Sequence, residues 1–484
     1  MSPDRERSRI DLVLVVLAVA AAAAALAFQL FVPPVIGLAD NGDYQRVMGY
    51  AGFQHTTADA GERYFAFLRT RYAVVPPGWF RPGYHTSETL LALAARGVHG
   101  ALGGGAIFDL RTLAAIHALL LLVAIAGIVR ACRELAPAAQ ATVALLLVVV
   151  FTDVGYVAPF NSFYSQTASL LFLLLIVAVA AEAVRRGRLA GPRLAAYFAL
   201  ALLFVGSKPQ ERLAAPLLAL FGMRLAATPW RAPWRSAAAW LSIALCAFSV
   251  WYGRHTPYTL REATMFQVVF GEILGRSATP AEDAAELGLD PEWLRYAGTN
   301  AYAPDSPLLQ SGFRRAFLHR VGYRKVVRFY LRHPKRLAGR LERASRDLWT
   351  LRPSLGNYER SAGHPPGART TAFGLWSGLL EHLGRRPVVW ALLLFAGTLL
   401  AVTASYRRSP LRGRLFLEGV VLLVAMAGLA FAVCSLADAP VESARPLYTF
   451  HALVNLILIA DAGWCVQALA SRRRRSGRVV RAGR

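Results

Sequence analysis

Long apolar runs recur along this chain at about 11–32, 107–130, 138–153, 160–184, 193–206, 209–227, 236–252, 387–406, 414–434 and 446–470. Each is close to the length that a bilayer core requires, or slightly shorter. A backbone in hydrocarbon must satisfy its own hydrogen bonds, so only helices or closed barrels cross it, and uninterrupted Leu/Val/Ala runs favour helices. The expected fold is an all-α polytopic membrane protein with about ten transmembrane helices. The first run follows Arg5, Arg7 and Arg9 as a signal peptide would. It is too long for a usual signal core and other spans follow, so it reads as an uncleaved first span.

A net charge of +25 would suit a nucleic-acid binder, but its distribution points elsewhere. The arginines gather in alternate connections: Arg130 and Arg133; Arg185, Arg186, Arg188 and Arg193; Arg224, Arg231 and Arg235; Arg407, Arg408, Arg412 and Arg414; then Arg472 to Arg475. The opposite short connections offer only Lys208, Arg212 and Arg445. The positive-inside rule then puts both termini in the cytoplasm, and an odd number of spans would scramble the pattern. No nucleic-acid partner is expected. Cys132, Cys246, Cys434 and Cys465 lie in or beside apolar runs and imply no disulfide framework.

With that orientation two long segments fall outside. Residues 1–252 form a transmembrane module whose acidic first outer loop is 33–106. Residues 253–386 form a small, mostly helical extracytoplasmic domain, 387–470 the last transmembrane helices, and 471–484 a basic cytoplasmic tail. Within the first loop, 87–102 is apolar but broken by Arg96, Gly97 and His99, and reads as an amphipathic helix on the outer surface. In the outer domain Thr279-Pro280-Ala281-Glu282 is a capping box ending at Gly288, and Asp290-Pro291 repeats the start signal. His333-Pro334 opens a helix with Leu337, Leu341, Ala344 and Leu348 on one face. Its remaining basic residues suit either anionic lipid head groups or plain solvation.

The chemistry-bearing residues sit at outer boundaries. Leu38-Ala39-Asp40-Asn41-Gly42-Asp43-Tyr44-Gln45-Arg46 places two carboxylates within four residues just past the first span. Such residues also make an ordinary polar turn, but an ionisable group at a membrane rim is a site candidate. The others are Asn161, Tyr164 and Gln166 in Pro159–Gln166, Lys208 and Arg212 in Ser207–Arg212, and Arg445 in Ser443–Tyr448. Singly these snorkel or cap helices; together they offer carboxylate, cation and aromatic groups to an anionic, lipid-linked substrate. Sugar transfer needs a base for the acceptor hydroxyl and cations for the leaving phosphate. An Asp of the first loop suits the former, with Lys208, Arg212 or Arg445 for the latter, and Tyr44, Tyr84 and Trp79 could stack on sugar rings. No nucleotide-binding loop, zinc motif or nucleophile elbow occurs. The outer face has no ready supply of nucleotide sugars, which leaves a polyprenyl-phosphate sugar as the natural donor.

Asp40–Val47, Asn161-Ser162-Phe163-Tyr164-Ser165, Tyr296–Tyr302, His333-Pro334, Leu355-Gly356-Asn357-Tyr358-Glu359 and Trp376-Ser377 together resemble the GT-C class of integral-membrane glycosyltransferases. More narrowly they resemble the bacterial glycan-biosynthesis hexose transferases of the WsfD-like group. The resemblance implies an inverting transfer from a lipid-phosphate sugar, with a first-loop Asp as base: Asp43, just past the first span, before Asp40. Arg46 joins the substrate-binding set. Gln166 departs from the pattern, where an acidic residue is expected, and bears on whether a divalent metal takes part; no metal ligand is assigned. The final outer loop, 439–445, fits the pattern poorly. The expected partners are a polyprenyl-phosphate sugar donor, a glycan or lipid-linked acceptor, and membrane lipids.

Two readings compete with an envelope glycosyltransferase: a lipid-linked sugar transporter or flippase, and a non-catalytic partner of a polysaccharide assembly complex. Transporters place charges near the midplane, often in paired repeats with broken helices, and neither pattern is visible here.

Overall fold

The computed structural model describes residues 3–79, 85–227, 232–256, 258–346, 348–384, 387–437 and 445–482. Tyr84, Arg231 and residues 439–444, of the loop expected to be the last outer one, lie outside them. The chain is an all-α polytopic membrane protein. Helix α1 spans Pro3–Leu30, and α2 (Gln45–Ala51) follows the acidic stretch. Three short strands come next, β1 (Phe53–His55), β2 (Arg71–Val74) and β3 (Ile107–Asp109), with α3 (Ser87–Ala101) between the last two. Helices α4 (Arg111–Ala131), α5 (Pro137–Phe151), α6 (Gln166–Arg186), α7 (Pro192–Val205), α8 (Ala215–Ala226) and α9 (Ala232–Arg254) complete the first bundle.

Among the described residues seven helices are long and apolar enough to cross a membrane: α1, α4, α6, α9 and the last three. Helix α5 and the turn after it, bent by 61°, make an eighth if counted as one span. The remaining two of the ten expected spans fall short. Helices α7 and α8 have 14 and 12 residues, about 21 and 18 Å of rise. A 3-10 turn at Glu211–Ala214 stands between them, and residues 206–210 fold as a loop holding Lys208. Pro209 has no amide to continue a helix, which is why this apolar stretch breaks.

The strands form an antiparallel sheet in the order β1-β2-β3, with Phe53 opposite Val74 and Tyr72 opposite Phe108. They were not foreseen, because three or four residues are too few to show a period of two. Nor does the second apolar run begin at 107: Ile107–Asp109 is strand β3, and α4 starts at Arg111.

The arginine-rich connections meet at one end of the bundle. Arg185 bridges Glu182 and Glu134, Arg412 reaches Glu134, and Arg7 donates to the Glu134 and Leu135 carbonyls. The acidic stretch and its partners lie at the other end. There the first loop docks on residues 355–359: the Gly37 and Asn357 backbones bond, Asn357 Nδ2 donates to Gly37 O, and Leu68 N donates to Tyr358 O. Gly356 permits the approach, since a Cβ there would lie 2.0 Å from the Ala66 carbonyl oxygen.

The segment after α9 is helical: α10 (Tyr258–Phe266), α11 (Pro280–Leu287), α12 (Ser311–Arg320), α13 (Tyr323–Arg332), α14 (Pro334–Ser345) and α15 (Leu375–Leu383). Gly288 ends α11 in the left-handed conformation, but Thr279 makes no capping bond. A cluster around Phe266, Phe270, Phe317 and Phe329 is its core. Three of the basic residues on helix α14 turn to partners within the protein. Arg336 pairs with Asp283, Arg343 with Glu272, and buried Arg340 lies over Tyr330 and donates to Ser435 O, at 2.5 Å. The chain ends in α16 (Pro387–Tyr406), α17 (Leu411–Ala437) and α18 (Tyr448–Ala482).

Candidate functional site

The two carboxylates of the acidic stretch have opposite surroundings. Asp40 Oδ1 accepts from the amides of Gly42 at 2.7 Å and Tyr44 at 3.1 Å, and Oδ2 meets His55 Nε2 at 3.1 Å. Gly42 makes this turn with φ at +99°; no atom crowds its Cα, so the backbone angle alone requires glycine. Both Asp40 oxygens are engaged and its side chain is only 1% exposed. Its place is that of a structural anchor for the loop. It does not face the open rim where sequence reasoning put a second candidate base.

Asp43 is 26% exposed. Oδ1 pairs with Arg46 at 2.8 Å and Oδ2 with Arg445 at 3.0 Å, while Arg445 also donates to Asn41 Oδ1 at 3.1 Å. Asn41 Oδ1 gathers the site, taking in addition the Asp43 amide and a contact with the Tyr164 hydroxyl. Lys208 Nζ donates to the Arg445 carbonyl at 3.4 Å. Burial pushes the Asp43 carboxyl up, but Arg46, Arg445 and Lys208 outweigh it and hold the group below the usual carboxylate range. The nearby Gly42 and Tyr44 amides bond Asp40, so guanidinium groups keep Asp43 charged.

Tyr164 is the floor. Its buried ring lies 4.7 Å beneath the Arg445 guanidinium, edge-on to Tyr44 at 4.8 Å, and its hydroxyl bonds Ala39 O and the Asn41 amide. Burial raises the tyrosine well above its ordinary value, so the hydroxyl stays protonated. An arginine over an aromatic face beside a carboxylate keeps a fixed direction.

Four sequence candidates are placed otherwise. Asn161 is fully buried and donates to the Leu30 and Ile36 carbonyls, fastening the end of α1 rather than a substrate. Gln166 is buried as the first residue of α6. The Arg212 guanidinium lies against Gly253 at the end of α9. Tyr44, offered as a sugar-stacking ring, is buried and donates to Leu38 O, whereas Trp79 is exposed with its indole N–H fixed on Phe53 O.

Some groups were missed. His55 holds Asp40. Glu88 of α3 is fully buried, meeting His117 Nε2 of α4 at 2.8 Å and accepting from the Ala168 amide of α6, while His117 Nδ1 contacts Phe160 O. A histidine inside an apolar run signals such a pair, since an ionisable group at membrane depth needs a partner. The pair ties α3 to two spans, so this helix is anchored on the bundle rather than resting alone on the lipid surface. Among the described residues no three His, Cys, Asp or Glu side chains converge as a metal site would require, and the partners of Asp43 are cations. These residues do not fit a divalent cation.

A family model described as the YfdI N-terminal transmembrane domain matches residues 4–481. No curated protein and no solved structure matches the chain.

Proposed function

The chain belongs to the YfdI N-terminal transmembrane domain family, and from that premise we propose that it is an inverting glycosyltransferase of the GT-C kind, related to the WsfD-like hexose transferases. It moves a hexose from a polyprenyl-phosphate donor to a cell-envelope glycan, at the outer face of the bacterial cytoplasmic membrane, with both termini inside. The observation that carries this reading is the charged, partly exposed Asp43 carboxylate with Arg46, Arg445 and Lys208 around it.

The chemistry follows from that grouping. A donor phosphate competes with Asp43 for Arg445, and an arginine prefers to grip a phosphate through two donors. Its transfer to the phosphate releases Asp43 Oδ2. The acceptor hydroxyl oxygen then attacks the anomeric carbon while its proton passes to Asp43. The bond from the anomeric carbon to the phosphate oxygen breaks, and the electron pair leaves with the lipid phosphate, stabilised by Arg445 and Lys208. The products are a glycoside of inverted configuration and the free lipid phosphate.

Purified protein in vesicles, given a polyprenyl-phosphate hexose and an envelope-glycan acceptor, is expected to release lipid phosphate and extend the acceptor by one inverted hexose. Movement of intact lipid-linked sugar between leaflets without transfer would install the transporter reading. Neither activity, with assembly of an envelope polysaccharide lost on deletion, would install the non-catalytic one.

A further inference from the structure

Helix α13 has three faces. Val326, Phe329 and Tyr330 are buried in the domain core. Tyr323, Val327 and Leu331, at i, i+4 and i+8, line a second face and are 42%, 49% and 72% exposed. Arg324 and Arg328, again four apart and exposed, run beside that apolar stripe, and among the described residues neither makes an ion pair. The neighbouring basic helix differs, since Arg336, Arg340 and Arg343 of α14 are all turned to internal partners. Exposed positive charge thus runs beside an exposed apolar stripe on α13, at whose start Arg261 lies over the Tyr323 ring.

The fold sets this helix near the membrane. Leu331 is nine positions before Arg340, whose Nε donates to the carbonyl of Ser435 at the end of spanning helix α17. At helix rise that interval covers about 14 Å, and a little more across the non-helical His333 between α13 and α14, comparable to the depth of a bilayer's polar layer plus a side chain. We propose that α13 is an interfacial helix: Tyr323, Val327 and Leu331 dip into the boundary of the outer leaflet, and Arg324 and Arg328 bind the phosphates of anionic lipids there. An apolar face flanked by basic residues is how a helix lies in that layer without crossing it. The seated helix would fix the height of the α10–α14 segment above the spans. This holds whether or not the chain transfers sugar.

The test uses the full-length protein in liposomes containing a photoactivatable phosphatidylglycerol with its reactive group at the glycerol backbone, followed by peptide mapping. Adducts are expected on the 323–331 peptide. They should fall at least about threefold in Arg324→Gln/Arg328→Gln, and when phosphatidylcholine carries the same group. Tyr323→Ser/Leu331→Ser should lose them while adducts on α17 persist, which shows the variant is folded and inserted. Adducts on the spans but none on 323–331 in the unaltered chain would overturn the proposal. Equal labelling from the neutral and anionic lipids would overturn its anionic part.

Discussion

Asp40 and Asp43 stand three residues apart, yet one belongs to the loop's interior and the other to its rim. Around Asp40 two backbone amides and His55 use both oxygens and exclude solvent. Around Asp43 the partners are the side chains of Arg46 and Arg445, and a quarter of the group remains open. The contrast teaches that a carboxylate's company determines its use. Backbone amides bind a group into the fold, whereas a side-chain guanidinium open to solvent can also serve a competing anion.

The comparison breaks first at its buried side. Asp40→Ala leaves the Gly42 and Tyr44 amides and His55 without their acceptor in a buried loop, and is expected to cost about 3 kcal/mol. Denaturation of the purified protein in detergent measures it; a loss below about 1 kcal/mol would show that Asp40 is no anchor. Arg445→Ala sharpens the rim side. It removes the cation that both clamps Asp43 and is proposed to receive the phosphate, so transfer should fall tenfold or more. The unfolding midpoint should move less than for Asp40→Ala, because the Asp43 pair stays partly open to solvent.

Acidity separates the two sides more gently. Asp43 is held below its ordinary range, burial opposing and Arg46, Arg445 and Lys208 prevailing. A depressed folded value means the clamp's contribution is complete above the unfolded value of about 4 and is lost only as pH falls through the lower folded value. Moving from pH 7 to pH 5 should therefore leave proteolytic protection of residues 38–46 unchanged; loss within that window would contradict the clamp. The smallest effect belongs to Arg212→Ala. Its guanidinium lies against Gly253, so transfer should stay within about twofold, the scale of surface substitutions far from a site. A tenfold loss would return Arg212 to the site.

Much of this architecture was legible because apolar length and boundary charge are properties of a sequence. Asp43, Lys208 and Arg445 could be grouped without coordinates, since all three sit where apolar runs end on the same side. Which of two near-adjacent carboxylates is buried could not be read, because it depends on His55 arriving from a three-residue strand. Arg212 shows the converse: it stands four residues past Lys208, but the 3-10 turn at 211–214 sends it toward Gly253. Asn161 looked like a ligand and is a fastener, since only the fold reveals that the end of α1 presents two carbonyls to it.

The central claim is that Asp43 accepts a proton and Asp40 does not. Transfer from a polyprenyl-phosphate hexose should be compared for Asp43→Asn and Asp40→Asn, both purified to equal amounts and checked for unchanged unfolding. The account predicts a loss of about 10²-fold or more for Asp43→Asn, because the amide keeps the size but cannot take the proton. It predicts a smaller loss for Asp40→Asn, whose side-chain oxygen still accepts from Gly42 and Tyr44. Near-full transfer by Asp43→Asn would contradict it.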